Sequence, residues 1–474
     1  MNAATAGLAF TAMLPEHLLL LGMVLLVGLE IAGQGGRLSW VLALACVAAA
    51  AATAAALAMQ GCTAAPFPGH FSVTPATLMA KAVVLALAVP VLLMSHDEFS
   101  GGEFPVLLLA SLYGAGLMQS ADSFLTLFLG LEILSVPVYV LVLLAYRRPQ
   151  SAEAALKYLV LGGTATAMFL MGVALIYGSS ASLGVRTGQA MGLPAFATAM
   201  GSHDSIAGTA VVLVLVALFL KAAIVPFHTW APDAYEAASV PVTAYMAVIV
   251  KAAVLLAAVR LFGDTMLAAP LGDLVAVLPL LSIVWGNLAA MRQANLRRMV
   301  AYSSIAHAGY LFYALLGAPA GRLQAAVFYL LAYGLFNLLL FAALPKAADD
   351  RERDRLTRLQ GLFQRSPFAA LMIGISMLSL AGIPPFPGFV AKFLIFKNVV
   401  AAGHTAYAVL GLLGSYLGIY FYLRVIQLMF MSAGADEQAA RPLPRLAIGA
   451  SLLCLGSALL VLVFPGWTMG WLLP

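Results

Sequence analysis

Apolar runs of about twenty residues, separated by short polar connectors, follow one another along almost the whole chain. A helix needs roughly 20 apolar residues to cross the hydrocarbon core of a bilayer. The pattern therefore predicts an all-α polytopic membrane protein with fourteen spanning helices. The predicted bounds are 14–33, 38–59, 75–95, 104–119, 122–145, 153–178, 207–238, 239–260, 271–291, 298–317, 322–345, 366–400, 406–431 and 445–471.

Two of these stretches, helices seven and twelve, are too long for one straight span and contain prolines. Pro226 lies within 207–238, and Pro384 and Pro385 lie within 366–400. Proline removes a backbone N–H and frees a carbonyl. Inside a bilayer such a break survives only where protein or a water-filled cavity satisfies the freed groups. We therefore expect two broken helices that line a pathway.

The two breaks are five helices apart. This spacing predicts two five-helix units, 103–260 and 271–431. Three N-terminal helices (1–102) precede them and a C-terminal helix (445–471) follows them, so that the chain is expected to form one transmembrane domain. Because each unit has an odd number of spans, the second should be inverted relative to the first, as in many transporters.

Composition agrees with the helix pattern. The chain is 63% hydrophobic and 9% charged, against roughly 25% charged residues in soluble domains. No basic residue precedes Arg37, so the first apolar run is expected to be a spanning helix rather than a cleaved signal peptide. Cys46, Cys62 and Cys454 share no metal-binding or redox spacing, which favours core positions and no thiolate-bound cofactor.

The formal net charge of +5 has a topological explanation, because the basic residues of the connectors lie mostly on one side. That side is predicted to hold Arg37, Arg147, Arg148, Arg292, Arg297, Arg298, Lys346, Arg351, Arg353, Arg355, Arg358, Arg365, Arg441 and Arg445. The other side has only Arg186, Arg260 and Arg322. Basic loops stay in the cytoplasm, which predicts a cytoplasmic first side, both termini outside and a bacterial inner membrane. The mixed-charge run 346–365 is expected to be a solvated connector, and no basic soluble face favours nucleic acid.

Lysine and arginine are used differently in this chain. Every lysine except Lys346 lies inside an apolar run, whereas every arginine except Arg424 lies at a helix end or in a connector. A desolvated lysine can release a proton, and arginine cannot. Arg424 is expected to pair with an acidic residue elsewhere in the chain.

Four ionisable residues lie deep in predicted helices: Glu132, Lys221, Lys251 and Lys392. Each costs roughly 2.5–3.5 kcal/mol at a helix centre on insertion scales, and such residues are functional by default. We predict that they form a proton-transfer axis, in which Glu132 keeps Lys221 charged until the pair is disturbed. A purely structural buried ion pair is the alternative.

Other ionisable residues have two interpretations each. Lys157 with Glu153 is either a snorkelling pair or a proton-input station. His228 either bonds unwound backbone or carries protons, and His307 is either a hydrogen-bonded core residue or a relay between lysines. Lys81 and Lys397 are expected to snorkel toward outer helix ends.

Four segments resemble a known family, the antiporter-like membrane subunits of respiratory complex I, NADH:quinone oxidoreductase. They are SAEAALKY (151–158), FLKAAIVPFHTWAPDAYE (219–236), RRMVAYSSIAHAGY (297–310) and LAGIPPFPGFVAK (380–392). Lys392, and the absence of the usual HAATM run in helix eight, favour the N branch of this family over M and L. The sequence departs from the family pattern at two places, both of which affect loop geometry. AASVP (237–241) replaces the usual GAPTP, and Pro387 replaces a small residue.

The resemblance implies a fourteen-helix proton channel in the membrane arm of the complex, with Glu132, Lys221, Lys251 and Lys392 as its charged axis. It implies no cofactor in this chain, with FMN, iron–sulfur clusters and quinone reduction in partner subunits. It also implies neighbours of the antiporter-like M type and the small K and J types. The alternatives are a stand-alone or Mrp-type cation/proton antiporter subunit and a passive membrane spacer.

Overall fold

The computed structural model describes residues 3–99, 101–145, 149–181, 183–186, 189–263, 265, 267, 269–345, 355–432 and 442–464. Helices dominate the described chain. They are α1 (Ala3–Ala12), α2 (Leu14–Ile31), α3 (Arg37–Met59), α4 (Pro75–Ser95), α5 (Glu103–Ser120), α6 (Phe124–Leu144), α7 (Pro149–Gly178), α8 (Pro194–Met200), α9 (Ser205–Ala222), α10 (Trp230–Ala237), α11 (Val240–Tyr245), α12 (Lys251–Phe262), α13 (Ala269–Met291), α14 (Leu296–Tyr313), α15 (Pro319–Ala342), α16 (Leu362–Arg365), α17 (Pro367–Ala381), α18 (Pro387–Ala401), α19 (Thr405–Met431) and α20 (Arg445–Val463).

The all-α membrane fold is confirmed. Each of the fourteen predicted stretches is helical, and the predicted bounds 75–95 are those of α4. Helix seven is divided into α9 and α10, and helix twelve into α17 and α18, as predicted. Among the described residues, 12 helices are long and apolar enough to cross a membrane. The predicted end of the last helix, 465–471, lies outside the described residues.

Backbone groups freed at the two breaks find partners inside the protein. Trp230 donates its indole N–H to the carbonyl of Leu220 at 3.0 Å, and the N–H of Val225 donates to Ser282 Oγ at 2.8 Å. At the second break, Lys392 Nζ donates to the carbonyl of Ala381 at 3.0 Å. The breaks therefore meet the condition for irregular backbone at membrane depth.

Gly382 explains how the second break turns. It follows the last residue of α17 with φ 82°, a left-handed conformation that glycine adopts without penalty. A Cβ at this position would also lie 3.0 Å from Cδ of Lys392. The same residue therefore ends the helix and leaves room for the lysine.

Some elements were not predicted from the apolar runs. Helix α1 precedes the first predicted span. A hairpin of β1 (Ala64–Phe67) and β2 (Phe71–Val73), paired antiparallel, joins α3 to α4. A π-helical turn, Met246–Val250, lies immediately before Lys251. These π turns frequently mark functional sites.

The centre of the protein is the predicted helix eight. Residues Val240–Phe262 are buried along their whole length, and α14 and α15 are almost as enclosed. In contrast, α2, α3, α7 and α20 leave most of their surface uncovered, and the residues they expose are largely apolar. The lysine of helix eight is therefore held at the middle of the bundle, with apolar helices outside it.

Arg322, of the predicted outer set, and Arg297 and Arg298, of the predicted cytoplasmic set, lie near opposite ends of α14. Arg322 donates to the carbonyl of Gly263 at 2.6 Å, just beyond the end of α12 that carries Arg260. Arg297 and Arg298 begin α14, beside the 355–365 segment. Six residues of the first set lie outside the described residues: Arg147, Arg148, Lys346, Arg351, Arg353 and Arg441. The rest of the connector 346–354 lies there too.

Gly114 sets the close approach of α5 to α6. A Cβ there would overlap the backbone of Leu134, so Gly114→Val should destabilise the fold by about 1–3 kcal/mol, the usual cost of overpacking. The measurement is the thermal unfolding midpoint of the purified protein. Gly163→Val is the control, because a Cβ at Gly163 meets nothing within 4 Å. Equal midpoints for the two variants would contradict the packing argument.

Candidate proton-transfer axis

Glu132 and Lys221 meet between α6 and α9. Lys221 Nζ lies 3.6 Å from Glu132 Oε1, and the lysine side chain is 4% exposed whereas the glutamate is 29% exposed. Lys221 also donates to Ser135 Oγ at 3.0 Å and to Tyr139 Oη at 3.3 Å. Glu132 accepts a hydrogen bond from Thr166 Oγ1 at 2.5 Å. Hydroxyls and the opposite charge together compensate the desolvation of both ions.

Lys251 lies at the start of α12 and has hydroxyl partners. Its Nζ is 2.5 Å from Ser304 Oγ and 2.6 Å from the Ser304 carbonyl oxygen. Ser304 Oγ lies 2.8 Å from Tyr333 Oη and 3.4 Å from Tyr235 Oη. Within the described residues no carboxylate lies in ion-pair range of this lysine. Such a lysine has no fixed counter-charge to keep it protonated.

His307 extends this hydroxyl cluster. Its Nδ1 lies 2.7 Å from Tyr329 Oη and its Nε2 lies 3.0 Å from Tyr422 Oη. Its ring centroid is 4.7 Å from that of Tyr333, which reaches Ser304. A neutral imidazole has one donor and one acceptor nitrogen, so one tyrosine donates and the other accepts. Reversing that order moves a proton from one side of the ring to the other.

Lys392 forms the far end of the row. It is 8% exposed and donates to Ser415 Oγ at 2.9 Å, in addition to the freed carbonyl of α17. Its Nζ lies 5.0 Å from the centroid of the Tyr310 ring, and that ring is edge-on to His307 at 5.6 Å. The structure thus links Lys392 to Lys251 through aromatic and hydroxyl side chains.

A polar cavity of about 370 Å³ lies where α7, α10 and α14 meet. Lys157 Nζ lies 2.7 Å from Glu153 and 2.9 Å from Asp233. Arg298 lies 2.9 Å from both Asp233 and Glu236. Lys157 therefore does not pair with Glu153 alone, as a snorkelling pair would, because its contact with Asp233 joins α7 to α10. A cavity lined by both charge types offers coupled groups that can bind and exchange protons.

An aromatic layer connects this cavity to the first ion pair. Tyr158 follows Lys157 and stacks on Trp230, with centroids 4.1 Å apart and planes 4° from parallel. Its other side meets the ring of Tyr139 edge-on at 4.6 Å, and Tyr139 bonds Lys221. The cavity is therefore separated from Lys221 by aromatic side chains.

The remaining candidates lie apart from the axis. His228 is half-buried and its Nε2 accepts a hydrogen bond from the Trp285 indole at 3.0 Å. Lys397 is exposed, as expected. Among the described residues the Arg424 guanidinium donates to the carbonyl of Met291 at 3.1 Å, and its acidic partner stays a prediction.

The snorkelling predicted for Lys81 was wrong. Rather than snorkelling, Lys81 is 2% exposed, and its Nζ lies 2.5 Å from Glu16 Oε1. Glu16 stands near the start of the first apolar run, where a helix-end carboxylate seemed unremarkable. Only the packing of α2 against its neighbours shows that this carboxylate is buried.

Sequence reasoning missed the hydroxyl groups that join the charges. These are Thr166, Ser135, Tyr139, Tyr235, Ser304, Tyr310, Tyr329, Tyr333, Ser415 and Tyr422. Their signal in the sequence is weak, because serine and tyrosine are tolerated within apolar helices. The usable clue for Ser135, Tyr139 and Ser304 was their position on the same helices as Glu132 and His307.

Tyr422→Phe tests the histidine link. It removes the hydroxyl that meets His307 Nε2 and Ser303 Oγ, and a buried group without its partner costs about 1–3 kcal/mol. We expect a several-fold fall in proton pumping by the intact membrane assembly, with unchanged assembly on a native gel. Tyr416→Phe on the same helix is the control, since Tyr416 is 62% exposed. Equal pumping by both variants would remove His307 from the relay.

The chain is similar in sequence and in fold to known membrane proteins. A family model described as "NADH:quinone oxidoreductase/Mrp antiporter, TM" matches residues 121–418. The fold is shared with a chain of respiratory complex I from Thermus thermophilus with bound aureothin, at a TM-score of 0.83 and 34% identity, covering 96% of this chain and 98% of that one. A chain of the Mrp complex from Dietzia, at 22% identity, shares the fold with a TM-score of 0.81, and covers 99% of this chain and 96% of that one. The fold and the family model thus define this chain as a multi-pass membrane subunit of the quinone oxidoreductase and Mrp antiporter class.

Curated relatives narrow the class. NADH-quinone oxidoreductase subunit N of Pelobacter propionicus is 37% identical over 429 residues, covering 90% of each chain. The subunit N of Geobacter metallireducens is also 37% identical, over 472 residues and 96% of each chain. The chain belongs to the family of NADH-quinone oxidoreductase subunit N.

Proposed function

We propose that this chain translocates protons across a bacterial inner membrane as subunit N of an NADH-quinone oxidoreductase. Its neighbours would be the antiporter-like subunit M and the small subunits K and J. FMN and iron–sulfur clusters in partner subunits would carry the electrons from NADH to quinone, with no redox centre in this chain. The row of side chains from Glu132 to Lys392 carries the proposal, because it places titratable groups with hydroxyl partners in the buried centre.

The proposed path begins at the polar cavity beside Lys157 and Asp233. On the positive-inside rule this is the cytoplasmic side. A proton would cross the aromatic layer to the Glu132–Lys221 pair. Lys221, once it is separated from Glu132 or meets a second positive charge, would lose its proton more readily. Two five-helix units related by inversion would then place the broken helices symmetrically about the membrane centre.

Beyond the pair, Lys251 and Lys392 would act as successive stations. Lysine suits this role because its neutral form is accessible when it is desolvated. The hydroxyls of Ser304 and Tyr333 and the ring of His307 can donate and accept in turn. Electron transfer elsewhere in the complex would drive the cycle by changing the charge or position of the first pair.

The experiment that tests membership and activity together is purification of an affinity-tagged chain from its own membranes. The expected result is co-purification of flavin and iron–sulfur subunits, with NADH-driven acidification inside reconstituted inverted vesicles. Isolation without those subunits, together with sodium/proton exchange that needs no NADH, would contradict the proposal and favour a separate antiporter.

A further inference from the structure

A second buried ion pair lies outside the axis, between Glu16 in the first turn of α2 and Lys81 in α4. The two side chains are each 1% exposed, with Nζ and Oε1 2.5 Å apart. Moving both charges out of water costs several kcal/mol per ion, and such a pair seldom adds net stability. Intramembrane ionisable pairs of this kind mark functional positions. The axis described above does not use this pair.

The pair borders a small cavity of about 10 Å³, lined mostly by apolar side chains, to which Gln119 also contributes. Gln119 is 3% exposed, and its Nε2 makes no hydrogen bond to any described residue. A cavity of this size accommodates about one water-sized probe. Gly116 keeps the space open, because a Cβ there would lie 3.3 Å from Glu16 Oε1. A buried carboxylate, an ammonium and a free amide donor thus face one water-sized space.

A polar route leads from this cavity to the surface. Arg260, in the last turn of α12, donates to the carbonyl of Gln119 and to Ser72 Oγ, both at 2.6 Å. Arg260 also lies 3.6 Å from Asp122, whose side chain is 40% exposed. The Phe71 ring covers Lys81, with the ring centroid 4.9 Å from Nζ. The hairpin that carries Phe71 and Ser72 therefore covers the Glu16–Lys81 pair, whereas the Asp122 side chain is exposed to solvent.

Helix α12 spans the distance between this site and the axis. The helix begins with Lys251 and carries Arg260 in its last turn, so the two residues lie about 14 Å apart along it at 1.5 Å per residue. Arg260 belongs to the side with few basic residues, which the positive-inside rule assigns to the outside. The Glu16–Lys81 pair thus lies between the centre of the protein and its outer face.

We propose that Glu16 and Lys81 form a second proton-binding site that receives protons from the axis and releases them to the outside. The inference rests on the proposed function. The arriving proton adds to a carboxylate oxygen of Glu16, forming a carboxylic acid and leaving the Lys81 ammonium without its counter-ion. Loss of that proton to outer water through the Gln119–Asp122 side restores the carboxylate and the ion pair. Among the described residues, the other charged or titratable groups near the pair are Arg260, Asp122 and Tyr113.

Glu16→Gln in the assembled complex tests the site, with Glu30→Gln as control. Glu30 lies on the same helix and is exposed. Removing a proton carrier typically costs 10²–10⁴ in the step it serves, so we expect coupled proton pumping to fall at least about tenfold. We also expect the turnover-induced infrared difference spectrum to lose a carboxylic-acid C=O band, a change that a merely structural role would not produce.

Two further variants distinguish a failure of the second site from a failure of the proposed function. Glu16→Gln combined with Lys81→Met removes both charges together, so it leaves no unpaired buried ion and preserves assembly. Glu132→Gln in the same assay reports on the axis. Normal pumping and an intact band in the Glu16 variants, with lost pumping in Glu132→Gln, would overturn the second site alone. Normal pumping in all of them would overturn the proposed function itself.

Discussion

Replacing Glu132 with glutamine is expected to reduce coupled proton pumping by at least about tenfold while the complex stays assembled. The amide can still accept the hydrogen bond from Thr166, so the local shape is kept. The negative charge that lies 3.6 Å from Lys221 is lost. A buried ammonium without a counter-ion neutralises rather than staying charged. Lys221 would then hold no proton to pass on.

The measurement is acidification of inverted membrane vesicles during NADH oxidation, with the amount of assembled complex taken from a native gel. Glu30→Gln serves as the control here too, because it neutralises an exposed carboxylate of another helix. Undiminished pumping in Glu132→Gln would mean that Lys221 needs no counter-charge, and the pair would then be structural.

Replacing Lys392 with methionine should have an effect of the same size. Methionine fills a similar volume without a charge, so the packing around Tyr310 is largely conserved. The row then ends at His307, and no titratable group stands at the second break, where Lys392 donates to the carbonyl of Ala381. Lys397→Met is the matched control, since it lies on the same helix and is exposed.

Pumping should fall more than NADH oxidation in Lys392→Met, because electrons still pass through the partner subunits while the proton step in this chain is blocked. If Lys392→Met pumps as many protons as the Lys397→Met control, the axis is limited to the first five-helix unit.

The sequence predicted the helices well because their signal is local. Residues 75–95 form one apolar run, and a run of that length has one stable conformation in a bilayer. The breaks at Pro226 and at Pro384–Pro385 were predicted for the same reason, since proline acts on its own helix. The charged residues were found because lysine or glutamate stands out in an apolar run.

The partners of those charges could not be predicted, because they depend on which helices touch. Ser304 meets Lys251 only through the packing of α14 on α12. Glu16 and Lys81 are 65 positions apart, and no periodicity along either helix points to their contact. The hairpin that covers Lys81 also has no apolar-run signal. Tertiary contact, rather than local preference, decides which of these residues are buried.

The most direct test of the central claim is the number of protons pumped per electron in Lys392→Arg, measured in sealed vesicles beside Lys397→Arg. Arginine keeps the positive charge but cannot be deprotonated, so it separates proton transfer from charge alone. If Lys392 passes protons, the ratio falls in Lys392→Arg and stays normal in Lys397→Arg. A normal ratio in both would show that only the charge at this position matters, and would contradict a proton-transfer axis.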